Sequence, residues 1–245
     1  MKISIITVCF NSAKTLEETI LSVSKQTHRD IEYIIVDGAS TDNTKEIVHK
    51  YSNFITEFIS EPDRGIYDAM NKGLAMCTGD IIGILNSDDI YKNTHVLSKV
   101  AQAFETSIDC LCTDIEIFKD NPNNVVRYYS CTRWKPWMFR IGHQPPHPGF
   151  FVKNECYKNY GNFDTQFKLA ADFEILLRLI GKNKCKTAYQ PWVSVSMRSG
   201  GASQKSLKNI RLANQEDHKA LKKNGYFSLL PMIWCKYLLK VFQFR

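Results

Sequence analysis

What this 245-residue sequence lacks narrows its class before any motif is read. No G-x-G-x-x-G follows a strand-like run, which excludes a dinucleotide-dependent oxidoreductase, and no G-x-x-x-x-G-K-(S/T) supplies the phosphate loop of a nucleotide hydrolase. No C-x-x-C pair occurs among the eight cysteines. Most of them sit in apolar stretches where a thiol packs as a small hydrophobe, so a reducing compartment is expected. Low-complexity and collagen-like segments are missing too, and 44% hydrophobic with 23% charged residues places the chain among folded proteins rather than disordered ones. The opening apolar run, residues 3–10, is too short for a secretory signal with a cleavage site and reads as a first buried strand.

Charge of one sign is scarce everywhere except at the end. The net charge is +7, and the segment 205–245 alone carries nine basic and two acidic residues, so the first 204 residues are balanced. A neutral body with a basic tail seeks an anionic surface, and no nucleic acid is expected as a partner. Within the tail, residues 226–244 hold Phe227, Leu229, Leu230, Met232, Ile233, Trp234, Tyr237, Leu238 and Phe242, interrupted by Pro231, Lys236 and Lys240. This stretch is shorter and more charged than the ~20 apolar residues of a spanning helix. It reads as an amphipathic helix lying on an anionic membrane, with packing on the body or another subunit as the alternative.

The first hundred residues alternate strand-like and helix-like segments. Residues 2–8, 31–36, 54–59 and 81–85 are apolar or β-branched runs, and 13–26, 41–50 and 65–77 carry helical spacing between them. This β-α-β-α-β-α-β order predicts an α/β fold with a mostly parallel central sheet and helices on both faces. Ligands of such sheets bind beyond the carboxyl ends of the strands. Asn11, Asp37, the Asp63-Arg64 pair and the Asp88-Asp89 pair all follow predicted strands, so one cleft is expected to gather them. A helix over 93–104 follows. Beyond it, 109–118 and 125–129 read as a hairpin, a proline-rich irregular stretch follows, and 171–180 returns to helix.

Asn86-Ser87-Asp88-Asp89 is the sharpest local signal. Two adjacent carboxylates at the end of an apolar strand are costly unless a cation or a strong network compensates them. Mg²⁺ and Mn²⁺ take such oxygen ligands together with substrate phosphates; a helix N-cap is the plainer alternative. Arg64 at a strand–helix junction suits a phosphate or base, and Asp68 and Asn71 lie three apart on one helix face. Asp172 opens a helix, where an acid also complements the helix dipole.

Thr7-Val8-Cys9-Phe10-Asn11, then Val36-Asp37-Gly38-Ala39-Ser40-Thr41-Asp42, then Asp88-Asp89 together resemble, in order and spacing, the family 2 inverting glycosyltransferases. The segment Glu61 to Gly73 and the segment Leu169-Ala170-Ala171-Asp172-Phe173-Glu174-Ile175-Leu176-Leu177-Arg178-Leu179 resemble the same family, so the likeness covers roughly residues 1–205. It implies a GT-A fold, with a nucleotide-sugar-binding half over 1–105, an acceptor-binding half over 106–205 and the tail over 206–245. By the match, Asp37 contacts the nucleotide base, and Asp89 is the ligand of a divalent cation, Mn²⁺ or Mg²⁺. Thr7, Asn11, Asp63, Arg64, Asn71 and Asp88 complete the donor site. Asp172 is implied as the base that takes the acceptor's proton. The neighbouring glutamate usual in the family is Ala171 here, leaving Glu174 as a second candidate. His147-Pro148-Gly149-Phe150-Phe151 resembles the loop leading to the acceptor site in bacterial polysaccharide members, and Arg198 to Ser203 has the polarity of a lid.

The resemblance therefore implies transfer of a sugar, UDP-linked in the first instance, from a nucleotide diphosphate to a growing or polyprenyl-diphosphate-linked glycan of the O-antigen or capsule type. The enzyme would lie on the inner face of the membrane. A nucleotidyltransferase ranks below because Asn11-Ser12-Ala13-Lys14 stands where its glycine-rich basic loop belongs. A non-catalytic glycan- or lipid-binding module is the alternative of a different class.

Overall fold

The computed structural model describes residues 1–200 and 206–241, with side chains through residue 238. Four strands open the chain in the predicted order: β1 (Ile3–Cys9), β2 (Ile31–Asp37), β3 (Glu57–Ser60) and β4 (Ile81–Ile84). They alternate with α1 (Leu16–Ser24), α2 (Thr44–Lys50) and α3 (Ile66–Met76). All four strands run parallel, ordered β3-β2-β1-β4. The apolar runs of β1, β2 and β4 are nearly continuous because both faces are covered, while β3, at the sheet edge, stays partly exposed. Ile3 and Ile5 point into one core layer with Leu16, Ile20, Tyr33 and Val100. Ile6 and Val8 point into the other with Met70, Phe173 and Leu176.

The chain continues through β5 (Ile90–Tyr91), α4 (Val96–Phe104), β6 (Cys110–Phe118), β7 (Val125–Tyr129) and β8 (Phe150–Lys153). It ends with α5 (Asn154–Tyr160), α6 (Ala171–Leu176), β9 (Thr187–Arg198), α7 (Leu207–Lys223) and α8 (Leu230–Val241). β8 runs antiparallel between β4 and β6, and β9 pairs parallel with β6, so one sheet of nine strands, counted over the described residues, unites both halves. β6 and β7 form the expected hairpin. The long sheet places the ends of β1, β2 and β4 on the same side as the far ends of β6 and β9.

Three expectations shift. β3 starts at Glu57 because Ser52–Phe54 winds into a short 3-10 turn. The helix expected over 171–180 is α-helical only to Leu176 and then widens into a π-helical turn over Leu177–Lys182. There the Arg178 guanidinium meets Glu174 and the carbonyls of Tyr160, Gly161 and Asn162. The tail does pack on the body. Ile233 is fully buried against Gly142, where the lack of a Cβ makes the close approach possible, and Lys236 Nζ donates to Asp217 of α7 at 2.5 Å. The opposite face of the tail, with Phe227, Trp234 and Leu238, stays exposed. Residues 201–203 of the expected lid, and Phe242 of the tail, lie outside the described residues.

Candidate active site

Parallel pairing fixes where the first acidic turn lies. The register sets Asp37 beside Cys9 on one side and Ser60 on the other. Asp37 is completely buried: Ser60 Oγ donates to it at 2.7 Å, the Ser40 amide at 2.9 Å, and the Ser40 hydroxyl closes a third bond. With both oxygens so engaged, this carboxylate organises the turn, and a direct contact with a base is not open to it in this conformation. Asn11, left-handed at φ 50°, binds the same turn through Thr41 N–H to its Oδ1 at 2.9 Å. Asp63 lies over the turn, and a Cβ on Gly38 would stand 2.4 Å from its Oδ2, so any larger residue there would displace the Asp63 carboxylate. Arg64 is exposed beside it and pairs with Asp68 at 2.9 Å.

The second acidic turn is bound to the first through Ser12 and Ser87, whose hydroxyls are 2.9 Å apart. Asp89 is buried. It accepts from Asn86 Nδ2 at 3.0 Å and from the backbone N–H of Arg198 at 3.1 Å, delivered by β9. Burial, reinforced by the charge of Asp88, pushes the Asp89 carboxyl up to about 8. Asn86 Oδ1 in the same turn is buried without a hydrogen-bond partner. A carboxylate held at such cost beside a second one and an orphaned amide oxygen is a donor set that fits a hard, oxygen-seeking cation. Among the described residues no third carboxylate or histidine converges on it, so substrate oxygens would complete the shell.

Asp172, in the first turn of α6, stands across the cleft. Tyr67 Oη donates to its Oδ1 at 3.1 Å and Gln144 Nε2 to its Oδ2 at 3.0 Å. Two adjoining cavities meet there, sharing Asp172, Arg127, His147 and Met197. One, about 320 Å³, runs past Tyr67 to Asn86 and Gly200. The other, about 220 Å³, runs past Gln144 to Asp217 and Lys236 under the tail. A further cavity of about 470 Å³ beside α5, lined by Leu74, Asn154 and Tyr157, has no carboxylate in its wall. Just before α6, the N–H groups of Lys168, Leu169 and Ala170 all donate to Glu216 of α7, at 2.8–3.0 Å. A charge-assisted clamp from the tail thus fixes the segment that carries Asp172.

Sequence reasoning missed Tyr67, Gln144 and Glu216. The first two are distant in sequence from Asp172, and only Tyr67's place on the buried face of α3 hinted at a role. Four expected site residues lie elsewhere. Thr7 is buried inside β1 and accepts from Tyr33 Oη at 3.1 Å. Asn71 exchanges two bonds with the backbone of Phe163, fixing that loop instead of a donor. Glu174 is buried in an ion pair with Arg178 and accepts from Asn224, which removes it as a second base candidate. The Arg198 guanidinium pairs with Glu18 at 2.7 Å and stacks over Phe118; its backbone N–H bonds Asp89, and its charge also acts on that carboxyl. His147 does line both cavities, packed edge-on against Phe163, with its basicity lowered by burial, partly offset by Asp172.

Comparison with known proteins decides the family. The sequence model described as "Glycosyl transferase family 2" matches residues 4–156, well over half of the chain. The chain belongs to glycosyl transferase family 2. Among relatives of this glycosyltransferase is an uncharacterized glycosyltransferase of Mycobacterium tuberculosis, 30% identical over 181 residues that cover 72% of this chain and 68% of the relative. A PGL/p-HBAD biosynthesis glycosyltransferase of Mycobacterium bovis is 26% identical over 212 residues, 81% of this chain and 77% of that one. Among solved structures, TarS 1-349 of S. aureus in complex with UDP-GlcNAc superposes with a TM-score of 0.67 at 20% identity, covering 88% of this chain and 66% of that one. The mannosyltransferase PcManGT from Pyrobaculum calidifontis, in complex with GDP-Man and Mn²⁺, gives 0.70 at 17% identity, covering 97% and 69%. The glycosyltransferase therefore has the α/β GT-A fold, a mostly parallel sheet between helical layers.

Proposed function

We propose that this glycosyltransferase moves a sugar from a nucleotide diphosphate donor to an acceptor hydroxyl with inversion, using Asp172 as base. The observation that carries the reading is the placement of Asp172 where two cavities meet, aimed by Tyr67 and Gln144, with one cavity reaching Asn86 of the acidic turn. The acceptor's O–H proton passes to Asp172 as that oxygen bonds to the anomeric carbon, and the bond from that carbon to the phosphate oxygen breaks, its electron pair leaving with the nucleoside diphosphate. Gln144 Oε1 is buried with no partner, so it suits an acceptor hydroxyl's proton.

Asp89 and Asp88 are the residues to hold a divalent cation, Mn²⁺ or Mg²⁺, whose chemistry is to neutralise the departing diphosphate. The Mn²⁺ and GDP-Man bound by PcManGT support that assignment. Asp63, Arg64 and Asn11 surround the organised Asp37 turn and are assigned to the nucleotide. A UDP-linked sugar is the first donor to try, as TarS binds UDP-GlcNAc.

The cavity beneath the tail is assigned to the acceptor, a lipid-linked or growing glycan in bacterial surface polysaccharide synthesis. Exposed Phe227, Trp234 and Leu238, with the basic excess of 205–245, suit attachment to an anionic membrane. No helix among the described residues is long and apolar enough to cross one.

The test is release of nucleoside diphosphate from UDP-, GDP- and dTDP-sugars with Mn²⁺ or with EDTA. Turnover of one donor only with metal, lost in folded Asp89→Ala and Asp172→Asn, is the expected result. A chain that binds and turns over none, even with membrane extract as acceptor source, would return the reading to a glycan- or lipid-binding module.

A further inference from the structure

At the end of β6 away from the acidic turns, three cysteines from three separate segments converge. Cys110 begins β6, Cys156 lies in α5, and Cys185 precedes β9. Their sulfurs all lie within 4.8 Å of one another and all three residues are buried; among the described residues no other three Cys, His, Asp or Glu side chains approach so closely. We propose that Cys110, Cys156 and Cys185 form a three-thiolate site for a thiophilic d¹⁰ cation, Zn²⁺ or Cu⁺, that staples α5 and the connection before β9 to the sheet.

Geometry and chemistry both favour this. Three sulfurs around a cation at about 2.3 Å stand roughly 3.8–4.0 Å apart, so the observed cluster needs to close by less than about 1 Å. A disulfide needs two sulfurs near 2.05 Å and would leave the third thiol without a role. Soft thiolate ligands select Zn²⁺ and Cu⁺ over Mg²⁺ or Mn²⁺, so this site does not compete with the carboxylates for their cation. Each sulfur that binds releases its proton to solvent, and no oxidant or reductant is required. Cys185, 8% exposed, is the least deeply buried of the three. The three residues belong to β6, α5 and the connection before β9, all in the second half of the sheet, so the role assigned is structural and independent of sugar transfer.

The full chain is purified under reducing, anaerobic conditions, its zinc and copper are measured, and the demetallated protein is titrated with Cd²⁺ while the thiolate-to-metal charge-transfer absorbance is followed. That band reports sulfur ligation and is blind to the carboxylate site. The wild type and Cys235→Ser are expected to take up one equivalent with the band and to gain about 5 °C or more in Tm. Cys156→Ser and Cys185→Ser, tested singly, are expected to lose the band and bind at least about tenfold more weakly, with nucleoside diphosphate release unchanged. An equal band in the wild type and both folded variants, or no band in the wild type, overturns the site. So does a thiol count under denaturing, non-reducing conditions that finds two of the eight cysteines oxidised. If the variants do not fold, wild-type peptides containing Cys110, Cys156 and Cys185 should be alkylated more slowly with Cd²⁺ than without it, and equal rates overturn the proposal.

Discussion

At the residue scale, the geometry around Asp172 gives the sharpest expectations. Asp172→Asn is isosteric and keeps the Gln144 and Tyr67 neighbours, but it cannot take a proton, so kcat should fall by about 10²–10⁴ while donor affinity is retained. Tyr67→Phe removes a single hydrogen bond that aims the carboxylate, a loss of about 1 kcal/mol that predicts roughly fivefold lower kcat with little change in donor KM. Steady-state kinetics on both variants separate the base from the group that orients it. Gly38→Ala acts on the other side of the cleft. Its new methyl collides with Asp63, so donor KM should rise by about tenfold while thermal stability stays nearly constant; an unchanged KM would dissociate Asp63 from donor binding. The acids were legible in the sequence because spacing after strands marks loop positions. Thr7, Asn71 and Glu174 were not, because a polar residue on a strand or helix declares its neighbourhood only when the facing element is known: here Tyr33, the Phe163 loop and Arg178.

At the scale of elements, β1 to β4 and their helices followed from alternation and apolar runs, since β1, β2 and β4 are covered on both faces and need no distant partner to be recognised. The π-helical turn and the antiparallel β8 were hidden. The first answers to Arg178 reaching backward to the carbonyls of 160–162, and the second is wedged between strands remote in sequence. The ends of β1 and β2 opposite the site are joined by Glu32, which accepts from Lys2, Ser4 and Thr78. Burial works against the charge of Glu32, but these bonds outweigh it and bring its pKa from the ordinary 4.5 down to about 2. A carboxyl with a depressed folded pKa stabilises fully above the unfolded value and loses that contribution as pH falls. Stability should therefore decline between about pH 4.5 and 2. Glu32→Gln should cost on the order of 2 kcal/mol at pH 7 and flatten that acid limb, as read from denaturant midpoints across pH.

At the scale of the whole molecule, the tail is both a surface and a part of the core. Its outer face leaves Trp234 and Leu238 exposed by 62% and 69%, and Trp234→Lys with Leu238→Glu should abolish co-sedimentation with vesicles rich in anionic lipid. The membrane binding proposed for the wild type should weaken as salt rises, as its electrostatic part requires. Its inner face works on the catalytic segment. Glu216→Gln should weaken three backbone bonds before α6, lowering both Tm and kcat, whereas a surface change on α7 should lower neither. The family match ends at residue 156 and the motif-level likeness near 205, yet the residue that clamps the loop leading to Asp172 is number 216. Where a family can be recognised and where an enzyme becomes complete are thus different points along this chain. A fragment cut at residue 205 would carry every motif, Asp172 among them, and still lack Glu216, which holds the segment bearing that proposed base.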